Sequence, residues 1–599
     1  MLKDIDLAVD NIKLKTPNKD IMDFFKTKKT LIKRIYATRY NDLTEFKKVN
    51  ELPFSRILSL EYLKDLKDID EASDIIGAVI SSKKRIMICS DSDSDGVTSA
   101  AIGHLMFKNI FKYSNFEVVV NRREFGNGIN NTTTEILMDI HKEKPFDLLI
   151  TSDHGSHDLK NLTILKKELG IQIIVTDHHL IEEATSPLKV VDAFVNPQRD
   201  DSTFSKKITG TVVLYFVLVY TLIKHFNTNY EKGIDLVYKY IAFAGLTTIS
   251  DAMDLKEAIN RKLVIKTIEL LNSNLLDDIL FWRLAKDRLS KGPIIDTTQL
   301  SFELIPMLNT PGRIGNPRLS FNTLIATNEN KGLDLYDSLD NLNTVRKEKQ
   351  TKVLADENHV TYSNGTVLVM LAENSNNIQG IVANNIIFND DYKIGFVFAV
   401  SPTDDKILLG SGRMLEDPNN PQSLVDIIDE VAKDTGMVIA HGGHALAMGL
   451  KINNNLKGFY NALVKVLNKK KIKKSEPITY VDEIIYSNKK LLTSILDIKE
   501  AAPYGIGFPK PLFVSEGILH AYRIIDKGPN IYMSGFIKLS EQSTYKIGFF
   551  YTIKREEKDA MLEAIKHATH IRIVYEFATN SFRGLKVQLN VKKLIPKRI

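Results

Sequence analysis

The sequence predicts an α/β chain built on a parallel sheet, and two observations predict it. From about residue 75, short β-branched apolar runs alternate with helical stretches: Arg85–Ser90 (RIMICS), Phe116–Val120 (FEVVV), Asp147–Thr151 (DLLIT) and Ile171–Thr176 (IQIIVT). Such runs between helices are strands of a sheet covered on both faces. Three of the runs also end just before an acidic residue: Asp91, Asp153 and Asp177. Ligands of open α/β sheets bind beyond the carboxyl ends of the strands. The three acids are therefore expected along one edge of one sheet.

Taken in order, residues 1–74 mix charged and apolar positions at helical spacing, as in Asp20–Phe25 and Ile57–Leu66, and form an N-terminal helical segment without chemistry of its own. Residues 75–333 hold the parallel sheet. Within them Thr211–Ile223 (TVVLYFVLVYTLI) is the longest apolar stretch; it falls short of the ~20 residues that a membrane span needs, so it reads as a buried helix. Residues 334–360 are highly charged and lack Pro and Gly, as a connecting helix would. A second α/β pattern fills 361–474, with strands Thr366–Leu371, Ile394–Ala399 and Ile407–Gly410 and a helix over Ser423–Lys433. The basic stretch Asn468–Lys474 before Pro477 marks a boundary. Residues 475–599 carry short strands at regular spacing: Gly517–Arg523, Ile531–Leu539, Tyr545–Phe550, Ile571–Phe577 and Leu585–Val591. That pattern predicts a small β-barrel or sandwich.

Composition excludes several classes. Apolar residues make up 43% and charged residues 26% of the 599, an ordinary globular balance. The net charge of +6 is too mild to argue for nucleic acid by itself. The single cysteine, Cys89, rules out an internal disulfide and a multi-cysteine zinc site. A reducing cytoplasm fits, and the N-terminus lacks the charged-then-apolar pattern of a signal segment. No G-x-x-x-x-G-K-[ST] loop points to ATP-driven motion.

Chemistry concentrates at the strand ends. Asp91, Asp93 and Asp95 alternate along Ser90–Gly96, between a strand and a helix expected from Thr98 to Phe111. Carboxylates so close raise one another's pKa, and a hard divalent cation removes the conflict. A calcium loop of the EF-hand kind also begins D-x-D-x-D-G, but it needs a bidentate Glu at position twelve. Here that position is Ile102, and a strand stands where the entering helix belongs. Thr151-Ser-Asp153-His154-Gly155 is a second strand end; alone, its Asp reads as a turn former. In Asp177-His178-His179 the adjacent rings point different ways, so one can bind metal while the other faces substrate, and Asp177 suits the orientation of a ring. Asp251 follows an apolar helix in GLTTISDA.

In order and spacing these four elements resemble the motifs of the DHH phosphoesterase superfamily, and within it the RecJ-like single-strand exonucleases. Asn121–Gly128 (NRREFGNG) looks like the family's N-R-x-E-x-G-Y-G segment. Val195-Asn196-Pro197, Thr209-Gly210 and Pro306–Arg313 (PMLNTPGR) are similar to further motifs. Gln379–Ala383, Gly410–Arg413 and His441–Ala445 resemble the associated DHHA1 domain over 361–474. Pro503–Phe513 (PYGIGFPKPLF) resembles the approach to the family's oligonucleotide-binding (OB) barrel. The departures are Ser90 for Gly, Asn127 for Tyr, His154 after the second-motif Asp, and Phe508 for Asn.

The resemblance implies two Mn²⁺ or Mg²⁺ ions bridged by Asp153, with Asp91, Asp93, Asp95, His178 and Asp251 as the remaining ligands. It implies His179 at the scissile phosphate, oriented by Asp177, and places Arg122, Asn309, Arg313, Ser411, Arg413, Gly443 and His444 as phosphate binders. Surface ion pairs are the alternative for Arg122 and Arg413. The barrel would grip single-stranded DNA with aromatic and basic residues, aided by Lys469–Lys471, Lys473–Lys474 and Lys592–Lys593 or with those lysines merely solvated. The implied activity is 5′-to-3′ digestion of single-stranded DNA in repair, recombination or replication. The implied enzyme is a monomer without a membrane, with a single-strand-binding protein or helicase as companion. Two other readings compete. One is an oligoribonuclease or cyclic-dinucleotide phosphodiesterase of the same superfamily, which would need no barrel. The other is a non-catalytic replication scaffold, which would have eroded carboxylates.

Overall fold

The computed structural model describes residues 10–597 except 28, 127, 227–229, 290–293, 357, 390–391, 416–421, 473–477, 528–529, 540–545, 554–556 and 581–585. It divides into two units: Met1–Gly312 with Pro317–Asp337 and Ile478–Ile599, and Arg313–Asn316 with Ser338–Pro477.

In the first unit a short strand, β1 (Ile12–Leu14), precedes a set of helices that includes Thr30–Ala37, Leu43–Glu51 and Ile69–Ser81. The sheet follows: β2 (Ile86–Ser90), β3 (Phe116–Val120), β4 (Leu148–Ser152), β5 (Gln172–Thr176) and β6 (Ala193–Val195), in the order β3-β2-β4-β5-β6 and parallel throughout. Every residue of β2 and β4 is buried, which is why these strands are apolar on both faces. The expected buried helix is Gly210–His225, and it packs on the helix Ser94–Asn109 and the sheet. Among the described residues no helix is long and apolar enough to cross a membrane.

The second unit holds β7 (Val360–Ser363), β8 (Val367–Leu371), β9 (Ile394–Val400), β10 (Ile407–Met414), β11 (Val438–His444) and β12 (Ala447–Asn453). They form one mixed sheet in the order β11-β12-β10-β9-β8-β7, with β8 and β9 parallel. Its core joins Phe396, Phe398 and Leu408 to Leu424, Ile428 and Phe459 of the helices Leu424–Thr435 and Leu456–Lys469. The charged connector is a single helix, Glu329–Ala355.

After β13 (Thr479–Val481) and β14 (Glu483–Ile484), the chain closes a five-stranded barrel. Its strands are β15 (Phe513–Lys527), β16 (Asn530–Lys538), β17 (Ile547–Ile553), β18 (His570–Asn580) and β19 (Lys586–Lys597), in the order β15-β16-β17-β19-β18 with β18 returning to β15. This is the small barrel that the strand spacing predicts, and it is OB-like, as the family resemblance implies. The N-terminal segment belongs to it: β1 pairs with β13, and Ile21, Leu31, Ile35 and Phe46 share one core with Phe508, Phe513, Ile571 and Leu589.

Candidate metal centre

Register brings the acids together. Ser90, Ser152 and Thr176 are level across β2, β4 and β5, so Asp91, Asp153 and Asp177 leave the sheet side by side. Their amides extend the ladder by one step, to Ser152 O at 3.3 Å, Thr176 O at 3.0 Å and Val195 O at 3.1 Å. Asp153 then turns into the left-handed region at φ 62°. A non-glycine residue held there stores strain, which is common at functional sites.

Helix ends complete the cluster. Asp93 caps the helix Ser94–Asn109, its Oδ1 accepting from the amides of Asp95 at 3.0 Å and Gly96 at 3.1 Å. Asp95 is fully buried; its oxygens accept from the Gly210 and Thr211 amides at 2.7 and 3.1 Å, where the helix dipole favours negative charge. Gly210 is required there, because a Cβ would lie 2.7 Å from the Asp153 Cα. Asp251 closes the helix Ile241–Ser250, and Ser250 Oγ meets Ser94 Oγ. His178 Nε2 faces three carboxylates: Asp153 Oδ1 at 3.1 Å, Asp251 Oδ2 at 3.5 Å and Asp95 Oδ2 at 3.8 Å.

Among the described residues, three sets have ligand atoms mutually within 4.8 Å: Asp91, Asp93 and Asp153; Asp95, Asp153, His178 and Asp251; and Asp153, Asp177, His178 and His179. Asp153 belongs to all of them. Burial, and then the charge of Asp95 and Asp93, pushes the Asp153 and Asp251 carboxyls well above the usual range. Burial and then Asp93 push Asp91 up to about 6. Burial and the charge of His179 push His178 down, which favours the ligating, unprotonated ring. Asp153 Oδ1 and His178 Nε2 are buried and make no hydrogen bond. Carboxylates that repel one another as anions, with donor atoms left orphaned among them, are what a divalent cation resolves. The donor set fits Mn²⁺ or Mg²⁺.

Asp177 is different. Its Oδ2 accepts from the Ser156 amide at 3.0 Å; its Oδ1 accepts from the amides of His178 and His179 at 2.7 and 3.2 Å and lies 2.8 Å from His179 Nδ1. Burial opposes ionisation, yet the charge and hydrogen bond of His179 hold this carboxyl well below the usual range. In return, Asp177 raises the His179 imidazole to about 10. The His179 side chain is 42% exposed, so a charged ring faces solvent beside the carboxylates.

Comparison with known proteins shows what this arrangement is similar to. The model of the DHH family, N-terminal domain, matches residues 85–245, and that of the RecJ OB domain matches 482–593. The single-stranded-DNA-specific exonuclease RecJ of Haemophilus influenzae is 26% identical over 94% of this chain and 96% of its own. The RecJ of Escherichia coli is 26% identical over 81% of this chain and 82% of its own. The crystal structure of RecJ from Thermus thermophilus in complex with Mn²⁺ superposes with a TM-score of 0.71 at 19% identity, covering 97% of this chain and 78% of that one. The chain is similar to RecJ over nearly its whole length, with a DHH-family match in its first half and a RecJ OB-domain match at its end.

The remaining expected residues of this RecJ-like chain fall in both units. In the first, Asn309 turns its Oδ1 to the Ser94 amide at 2.9 Å, bracing the start of the helix beside Asp93. Arg122 follows β3 and pairs through Nε with Glu124 at 3.0 Å, with its guanidinium over Phe125. In the second, Ser411 and Arg413 share a face of β10, Arg413 Nη1 donating to Ser411 Oγ at 3.0 Å, and Gly443 lies in β11. Arg313 is half-buried in the last turn of the helix Ile305–Ile314. The His444 side chain, Lys473, Lys474 and Asn127 lie outside the described residues. Of the lysine runs, Lys470 pairs with Glu430 at 3.2 Å and Lys592 with Glu576 at 3.3 Å, so part of their charge is neutralised within the chain.

Sequence reasoning overlooked the braces of the DHH triplet. Asn196 Nδ2 donates to Ser156 Oγ at 2.8 Å and to the His179 carbonyl at 2.9 Å, and Gln198 Nε2 donates to the His178 carbonyl at 3.2 Å. The Asn196-Pro197 turn was visible as a motif, but nothing in the sequence said that it holds both histidine peptides.

Proposed function

We propose that this chain is a metal-dependent exonuclease that hydrolyses the phosphodiester bonds of single-stranded DNA. The observation that carries the reading is the convergence on Asp153 of carboxylates and an imidazole with orphaned donor atoms, in a unit that also contains an OB-like barrel. Asp91, Asp93, Asp95, Asp153, His178 and Asp251 would hold two Mn²⁺ or Mg²⁺ ions, with Asp153 shared. Bound there, the ions supply an activated water and neutralise charge developing on the phosphate. His179, kept cationic by Asp177, donates a hydrogen bond to a phosphate oxygen and stabilises the transition state. The Asp177 carboxylate fixes the ring tautomer and its aim.

In the second unit Arg313, Ser411, Arg413, Gly443 and His444 are proposed to receive a terminal phosphate, Arg being suited to bidentate phosphate contact; Arg122 is a separate candidate phosphate contact of the first unit. The outer barrel face supports a grip on single strands. Phe536 is 47% exposed and lies between the small residues Ala521 and Gly548. Tyr532 and Phe550 stack beside it with centroids 5.1 Å apart. Arg523 and Lys538 flank these rings in register. Bases stack on such rings while cations meet the backbone.

A single-strand-binding protein or a helicase as supplier of strand, a monomeric state and a cytoplasmic setting belong to the same reading. The test uses single-stranded DNA and RNA labelled at either end, and a circular single strand, with Mn²⁺, Mg²⁺ or EDTA. The reading expects DNA to be digested from one end only with metal, the 5′ end by family resemblance, and the circle to persist. Equal loss of circle and linear strand would overturn the terminal-phosphate pocket, and digestion in EDTA would overturn the metal.

A further inference from the structure

The loop that carries Asp251 is also a seat of the barrel. Past Asp251, Ala252 turns through φ 53°, and the Leu255 amide then donates to the Ile506 carbonyl at 2.8 Å. Ile506 belongs to the tight turn closed by the Gly505–Phe508 bridge, just ahead of β15. Gly507 within that turn has φ 71°, and a Cβ there would stand 1.8 Å from Asp254 Oδ1. Asp254 is held by two hydrogen bonds. Its Oδ1 accepts from the Lys256 amide at 2.8 Å and its Oδ2 from Lys207 Nζ at 3.0 Å.

The next helix, Ala258–Leu271, fastens the same turn from beneath. Arg261, 1% exposed, donates to the carbonyls of Ala501 at 2.6 Å and Pro503 at 3.0 Å, and its guanidinium lies 4.0 Å from the Phe508 ring centroid. A buried cation with carbonyls on its edge and a ring on its face is tightly fixed. Phe508, a departure from the family pattern, is that ring.

We propose that Gly507 and Arg261 are positioning residues of the metal centre: the turn ahead of the barrel sets the loop that presents Asp251. The barrel and the carboxylate are thus two ends of one short segment. The proposal rests on Asp251 serving as a metal ligand. It requires a change at the turn to alter metal binding in the absence of DNA, which mere fastening of the barrel would not do.

The experiment is calorimetric titration of Mn²⁺ into the full-length chain without DNA, joined to kcat and KM on a dinucleotide. The variants are Gly507→Ala, Gly507→Ala with Asp254→Ala, and Thr297→Val, the last removing a bond to the Tyr504 carbonyl (2.8 Å) from a segment that bears no metal ligand. Gly507→Ala is expected to bind Mn²⁺ roughly 10-fold more weakly, the range seen when supports behind ligands are lost, and to lower kcat more than it raises KM. Removing the Asp254 carboxylate that the new methyl strikes should restore part of the affinity, the left-handed φ of residue 507 remaining strained for alanine. Thr297→Val should bind as the wild type does. If the Gly507→Ala chain does not fold, Arg261→Lys, which keeps the charge and loses the fork, is expected to show the same weakening. Unchanged Mn²⁺ affinity in the folded variants, or equal weakening by Thr297→Val, overturns the proposal alone. Failure of the wild type to bind Mn²⁺ overturns the metal-centre reading, and this proposal with it.

Discussion

Asp177 and Asp153 each follow the last residue of neighbouring strands, yet the fold gives them opposite tasks. Asp177 commits its oxygens to three amides and the His179 ring, whereas Asp153 keeps Oδ1 buried without a hydrogen bond. The sequence showed which residues cluster, because alternate acids after a strand need a cation. It could not separate supports from ligands, since that division depends on which amides each carboxylate meets. The same holds for Asn309, expected at a phosphate and found bonded to the Ser94 amide. His179 supplies the residue-scale prediction. His179→Gln should lower kcat by about 10²–10³-fold, the usual worth of one donor to a transition-state oxyanion, while Mn²⁺ affinity by calorimetry stays at the wild-type value. A parallel fall in affinity would make His179 a ligand instead.

The strands of the first sheet were legible to within a residue or two, because strands buried on both faces are continuous apolar runs. Helix starts were less so. The helix expected from Thr98 begins at Ser94, since the Asp93 side chain caps it and the alternating acids had read as loop. The three-residue strand β6 left no readable run. On the barrel, alternation of buried and exposed residues along β16 separates an inner face of Ile531, Met533 and Ile537 from the outer Phe536. Phe536→Ala should therefore weaken binding of a long single strand by roughly 1–3 kcal/mol, one lost base stack. Fluorescence anisotropy reads the binding, and dinucleotide cleavage should not change. Unaltered affinity for the long strand would remove this face from the DNA path.

The N-terminal segment is where the sequence said least, and the reason is separation along the chain. Its amphipathic spacing announced helices, but the helix Thr30–Ala37 packs on Asn488–Ala501, more than four hundred residues away. Arg39 and Asp482, 2% and 0% exposed, form a buried ion pair, and Lys15 adds a second cation at 2.9 Å from Asp482. Burial disfavours the Asp482 carboxylate, yet Arg39 and Lys15 hold its pKa below the ordinary value. A folded-state pKa below the unfolded one contributes stability above the unfolded pKa, near 3.9, and loses it as pH falls through the folded value. Asp482→Asn should thus cost about 3–5 kcal/mol at neutral pH by leaving Arg39 uncompensated. Melting curves of variant and wild type should converge as pH drops below ~4, and a gap that persisted in acid would contradict the ion-pair account.

The metal centre joined to a strand-gripping barrel is the central claim, and Asp153→Ala tests it most directly. The measurement is the initial rate of mononucleotide release from labelled single-stranded DNA at saturating Mn²⁺, with the barrel confirmed intact by unchanged strand binding in EDTA. Loss of the carboxylate common to all three ligand sets predicts a rate at the level of the metal-free wild type. A rate near that of the Mn²⁺-loaded wild type would contradict the account.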